Sequence, residues 1–315
     1  MSRVGTKRDV RPRAVGPRLK LLRSPRTWIT VAWLGTFAVV AYGLHELEPY
    51  VHRISTSDMV VEWIGTPEWL HDANWKHVLP QLEARINLHP KTDPYDKRVC
   101  PYVAERLAGS SWVERLRRVT KQIDGRVKVY ADFRKPFAMV ERNGIAYLVD
   151  ETGVRLPEQW ASKDINRAGW WLIQGAAEPV PEPGQRWPGE DLAAGLKLAR
   201  FLYRAESGGA LPFRDALRAI DVSNFGGRMD AWAGRLQLVT INPESCIHWG
   251  YPPGEEYDTE SSAERKLQHL RTAYQKGRLP DRKPIDVRDE DRIGWVEPEG
   301  SYEGGNASRT LETLK

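Results

Sequence analysis

One stretch of the chain is apolar without interruption, and the rest alternates. From Thr27 to Leu44 the sequence reads TWITVAWLGTFAVVAYGL, 18 residues with no Asp, Glu, Lys, Arg or His. A helix crosses the hydrocarbon core of a bilayer in about 17–25 residues. Trp28 and Tyr42 stand at the two ends of the run, where interfacial aromatics belong. The pattern predicts one transmembrane helix over 27–44, then a connector over 45–57.

From 58 to 157 the period shifts between strand and helix. Residues 59–64 are β-rich. Asn74 predicts the N-cap of a helix over 75–86, with Val78, Leu82 and Ile86 on one stripe and Pro80 as a point where it kinks or splits. His89-Pro90 and Asp93-Pro94 mark a loop, and a second helix fits 101–107, stopped at Gly109. Strands follow at 127–130, 137–141 and 145–149, the last two joined by Asn143-Gly144, a hairpin turn in which both residues accept positive φ. The order reads strand, helix, helix, strand, strand.

A Pro-rich crossing over 178–188 leads into the second unit, 158–297. Asp191 predicts the cap of a helix to about 205, with Leu192, Leu196, Ala199 and Tyr203 on one face. Strands are expected at 220–222, 236–241, 247–249 and 285–288. Ala263, Leu267, Leu270 and Tyr274 set the stripe of an amphipathic helix over 262–276. From 298 to 315 the residues are mostly polar and predict a disordered end. The fold class is α+β, with a single N-terminal transmembrane helix and two folded units.

Charge orients this arrangement. Residues 1–26 hold nine Lys or Arg against Asp9, a net +8, whereas the whole chain is +5, so 45–315 carries −3. The excess lies before the apolar run, which predicts a cytoplasmic N-terminus and an extracytoplasmic bulk. The basic tail suits anionic lipid. A mildly acidic body does not suit nucleic acid. Ala41-Tyr42-Gly43 would serve as a signal-cleavage site, but the basic region is too long and the apolar run exceeds a signal core of about 7–15 residues, so an uncleaved anchor is expected. Cys100 and Cys246 lack metal spacing, and whether they pair is open.

Catalytic motifs do not emerge. There is no Gly-x-Ser-x-Gly elbow, Walker loop or His-Glu-x-x-His. His71, Asp72 and His77 are spaced wrongly for one helix face; Cys246 with His248, the Glu255-Glu256 pair and Gly226-Gly227 are better read as structural or solvated. No catalytic residue, metal or cofactor is expected. Of thirteen Trp, Trp295 stands apart, close to the polar end, as a chain-end staple or an interface anchor.

The motifs and their order resemble the FtsQ/DivIB family of bacterial cell-division proteins. Trp112-Val113 is similar to the family's Pro-Trp-Val step. Arg134-x-Pro136-x-Ala138 resembles its Glu-Arg-x-Pro-x-Ala, and Tyr147, Asp150 and Gly153 its Tyr-Leu-Val-Asp-x-x-Gly strand and turn. Trp249-Gly250, Lys266-Leu267, Ile285 to Arg288 and Gly294-Trp295 follow in the family's order. The chain departs from it at Asp124-Gly125, where the family has Pro, at Phe133, where it has Glu, and at Asp289, often aromatic there. The resemblance implies a POTRA domain over 58–157 and a β domain over 158–297. It implies a non-enzymatic scaffold at the division site that recruits and regulates septal cell-wall synthesis proteins. Ile285, Asp286, Val287, Arg288 and Trp295 would meet a strand from FtsB/FtsL-like single-pass partners. The rival readings are an envelope POTRA-type chaperone or secretion accessory, and a tethered cell-wall enzyme.

Overall fold

A computed structural model describes residues 25–54, 59–88, 96–122, 124–164, 169–231, 235–242, 245–279, 284–289 and 294–295. They form a mixed α+β protein with two β-sheets and one N-terminal helix long and apolar enough to cross a membrane. The basic tail to residue 24 and the polar end expected over 298–315 lie outside the described residues.

Helix α1 spans Pro25–Ile54, and its apolar window is Trp28–Leu47. The stretch expected as a connector is helical to Ile54: His45 to Glu48 carries the helix past the apolar run, and it continues through Pro49. Within that run Thr36 Oγ1 donates to the Ala32 carbonyl at 2.9 Å, which satisfies the hydroxyl without water.

The smaller sheet has the order β1-β3-β2, from β1 (Val60–Ile64), β2 (Val113–Lys121) and β3 (Arg126–Phe133). Helices α2 (Val78–Ile86) and α3 (Val99–Ala108) bury Val78, Leu82, Ile86, Val99, Val103 and Leu107. Helix α2 starts three residues later than expected, and Asn74 does not cap it. Pro80 occupies the first turn, where its missing N–H costs nothing, so the helix neither kinks nor splits there. The last carbonyls of α3 are met by Arg85 from α2, whose Nε and Nη2 donate to Arg106 O at 3.0 Å and Gly109 O at 2.8 Å. Strand β2 was not expected: Glu114, Arg115, Arg117 and Arg118 make it polar, and two register shifts against β3 break its alternation.

The larger sheet has nine strands in the order β12-β11-β10-β9-β8-β7-β4-β5-β6. These are β4 (Pro136–Arg142), β5 (Ile145–Asp150), β6 (Arg155–Ala161), β7 (Trp171–Gln174), β8 (Leu217–Asp221), β9 (Leu236–Thr240), β10 (Cys246–Gly250), β11 (Ile285–Asp286) and β12 (Gly294–Trp295). The expected boundary at 157 does not separate the sheets. The Asn143-Gly144 hairpin forms, with φ of 54° and 77°, but β4 pairs with β7 and so joins the larger sheet. The Pro-rich stretch is likewise no crossing between units: Arg155 N donates to Gln185 O at 2.9 Å and Gly184 N to Arg155 O at 2.7 Å, strapping it along the start of β6.

Helix α4 (Glu190–Ser207) connects the parallel neighbours β7 and β8, and α5 (Ala263–Gln275) connects the parallel neighbours β10 and β11. Both pack on one face of the sheet, where Val140, Ile173, Ile220, Leu238, Ile247 and Ile285 are buried against Leu192, Ala199, Leu267 and Leu270. Each such side chain contributes about 1.5–3 kcal/mol. Asp191 is not the cap of α4: Gly189 is, and the buried Asp191 carboxylate accepts from Ala177 N at 2.8 Å and Arg228 Nη1 at 3.0 Å.

The two sheets meet through tryptophans. Trp69, Trp75, Trp112 and Trp170 form a contiguous cluster with centroid separations of 5.7–6.4 Å, and His77 Nε2 lies 3.3 Å from Glu158 Oε1 on β6. Burial pushes the Glu158 carboxyl up, opposed by the His77 contact.

Candidate docking site at the C-terminal sheet edge

The larger sheet ends at β12, whose Gly294 and Trp295 pair antiparallel with Asp286 and Ile285. Strand β11 is paired on both sides, with β10 and with β12. Of the contacts expected for a partner, Ile285 and Val287 are fully buried in the core and present no side chain to one. Asp286 and Arg288 bind each other, through Arg288 Nε to Oδ1 at 2.9 Å and Nη2 to Oδ2 at 2.7 Å. Burial pushes the Asp286 carboxyl up, and the Arg288 guanidinium more than offsets it, so the group is held below the usual carboxylate range. Among the five, Trp295 alone lies on the outermost strand.

A buried polar network holds this edge. Lys266 on α5 is fully enclosed, and its Nζ lies 2.8 Å from Glu260 Oε1 and 5.3 Å from the centre of the Trp249 ring. The same oxygen accepts Tyr251 N at 3.0 Å, and Ser261 N donates to Arg288 O at 2.8 Å. Gly250, at φ +94°, leaves the space: a Cβ there would sit 1.6 Å from Glu260 Oε1. Burial pulls the Lys266 amine down, with Glu260 opposing. Across β10 and β11, His248 pairs in register with Asp286, and burial pulls its imidazole down. The family-like order had marked Gly250 and Lys266, but Glu260 carried no local signal, because it sits in a loop and meets its partners only through the fold.

The remaining motif residues gather at one place around the end of β5. Arg134 Nη1 donates to Asp150 Oδ2 at 2.8 Å, and Arg134 N to Trp112 O at 2.9 Å. Asp150 Oδ1 accepts from Thr152 N, Thr152 Oγ1 and Val154 N at 2.7–2.9 Å. Pro136 pairs with Asp150, and Gly153 turns at φ +84°. Tyr147 packs against Trp187, under the Arg155 guanidinium, and Val113 is buried at the start of β2. These residues build a turn and its support.

Groups weighed for chemistry are dispersed. His71 bonds Thr66, and His77 bonds Glu158. Glu255 pairs with Lys197, and Glu256 Oε1 accepts from Ala263 N at the start of α5 at 3.0 Å. Cys100 and Cys246 are both free thiols. Among the described residues no three His, Cys, Asp or Glu converge as a metal site would require. No known protein family matches the chain, and no curated protein matches its sequence.

Proposed function

We propose that this chain is a membrane-anchored scaffold of the FtsQ/DivIB type that works in bacterial division through protein contacts. In this reading α1 crosses the plasma membrane with its N-terminus in the cytoplasm. The three-stranded sheet with α2 and α3 is the POTRA domain, and the nine-stranded sheet is the β domain. The observation that carries it is the edge at β12: among the described residues no strand lies on its outer side. A free sheet edge is a template for a strand from another chain. The opposite edge is less available, since the Pro-rich strap covers the start of β6 and Pro157 removes a donor from it. The element order β1-α2-α3-β2-β3 also suits a POTRA domain. Docking then falls on β12 and Trp295 rather than on Ile285 to Arg288, which support the edge from within. The partner would be a single-pass protein of the FtsB/FtsL kind.

The test is the position of an N-terminal fluorescent fusion in dividing cells of the source bacterium, for the native chain and for Trp295→Ala. A band at the division site that fades in the variant is expected. Uniform envelope labelling of the native fusion would overturn the division role. A band that the variant leaves unchanged would move docking away from β12.

A further inference from the structure

The smaller sheet covers only one of its faces. Val127, Val129, Ala131 and Phe133 alternate along β3 and are buried on the side of α2 and α3. The intervening residues Lys128, Tyr130 and Asp132 stand on the other face, joined across the register by Thr120, Arg118 and Arg115 of β2. Arg117, displaced by a bulge, reaches the same face: its Nη2 lies 2.6 Å from Asp132 Oδ1, and Arg115 Nε lies 3.2 Å from Asp132 Oδ2. The two arginine side chains are 63% and 74% exposed. One carboxylate between two guanidiniums leaves a positive charge. Arg118 and Lys128 add to it and make no ion pair among the described residues. On β1, Trp63 turns toward α2 and bonds Glu83, so alternation puts Glu62 on the open face. With Arg115, Arg117, Arg118 and Lys128 against Asp132 and Glu62, the face stays basic on a body that is net acidic beyond the apolar run.

Protection of a sheet edge accounts for charges and bulges on β2. It does not account for Lys128, which stands on the central strand. We propose that this face docks on anionic phospholipid headgroups of the membrane that α1 crosses. This rests on the transmembrane reading of α1. Two observations favour lipid over an acidic protein. The charges are spread over a sheet face rather than gathered in a cleft, as a planar anionic surface requires. Residues 48–59 link the apolar window of α1 to β1: 48–54 continue the helix for about 10 Å, and 55–59 span at most about 18 Å. A link that short lets the sheet reach the bilayer surface, where anionic headgroups attract Lys and Arg side chains within a Debye length of about 8 Å.

The test uses the full chain in lipid nanodiscs, with Cys100→Ser and Cys246→Ser to clear the native thiols. A fluorophore sits at Thr120→Cys, paired in register with Lys128, and the lipid carries a headgroup quencher. Adding phosphatidylglycerol to phosphatidylcholine discs is expected to raise quenching several-fold. High salt should reverse it, and Arg118→Glu with Lys128→Glu should abolish the rise, leaving quenching near the phosphatidylcholine level. Neither substitution touches the Asp132 pairs, and circular dichroism checks that the double variant is folded. A fluorophore at the exposed Gln268→Cys on α5 should stay at background. Equal quenching in both lipids, or an equal rise at Gln268→Cys, overturns the proposal. Shielding of the Thr120→Cys fluorophore by polyglutamate with no response to phosphatidylglycerol also overturns it, and assigns the face to an acidic protein. Elution of the chain apart from the discs is a separate outcome: it sinks the transmembrane reading and this proposal with it.

Discussion

Lys266 and Glu260 form an ion pair shut away from water, with Nζ 2.8 Å from Oε1, the amine fully enclosed and the carboxylate side chain 7% exposed. Tyr251 N shares the carboxylate oxygen, and the Trp249 ring lies under the amine. The pair ties α5 to the loop that leaves β10, and so to the strands that end the sheet. Removing one partner of a buried pair costs about 3–5 kcal/mol, because the other charge is stranded. Lys266→Met should therefore destabilise the chain by about that much in urea unfolding. Adding Glu260→Gln should recover part of the loss, since the two sites are coupled. Strictly additive losses would show that the two groups act independently.

Acid should loosen the same region before ordinary carboxylates titrate. Burial pulls His248 down; Arg288 acts with it, and Asp286 and Asp230 against it. Burial and Arg265 pull His269 down, with Asp289 and a backbone bond at Val287 opposing. Both imidazoles thus bind protons more readily in the unfolded chain, where their pKa is about 6.5. Their contribution is complete above that value and is lost as pH falls from it toward the lower folded values. Between about pH 7.5 and 5 the urea midpoint should fall, and it should fall less for His248→Gln with His269→Gln. Equal slopes in the two proteins would show that the histidines do not carry the effect. The Asp286 carboxyl, held low, acts in a separate window, losing its contribution only below about pH 4.

Cys246 should be a sluggish thiol. Burial pushes it up, and Asp221 adds to the rise. The thiolate is the reacting form. Alkylation of the native fold near neutral pH should label Cys246 several-fold more slowly than the same residue in denaturant. Peptide mass spectrometry reads the rate, and equally fast labelling in both states would refute the shift. Since both thiols are free, a non-reducing gel should show no intramolecular bridge.

The sequence alone determined what local periodicity can carry. The charge-free run from Thr27 to Leu44 implied a membrane-length helix. The stripes on α2, α4 and α5 and the Asn143-Gly144 turn appeared where helical spacing and turn chemistry put them. Those signals lie within a few residues of one another, so no distant partner is needed to produce them. Tertiary structure decided the rest. The polar strand β2 exists because β3 pairs with it, and backbone bonds leave no mark on side-chain pattern. Strand β4 joins the larger sheet because β7, some thirty residues on, lies beside it. Alternation at Ile285 and Val287 marked a strand, but not that both residues face α5 and the core, which depends on neighbours from elsewhere in the chain. Glu260 was silent for the same reason: a loop carboxylate becomes a structural anchor only when a lysine on the following helix is buried against it.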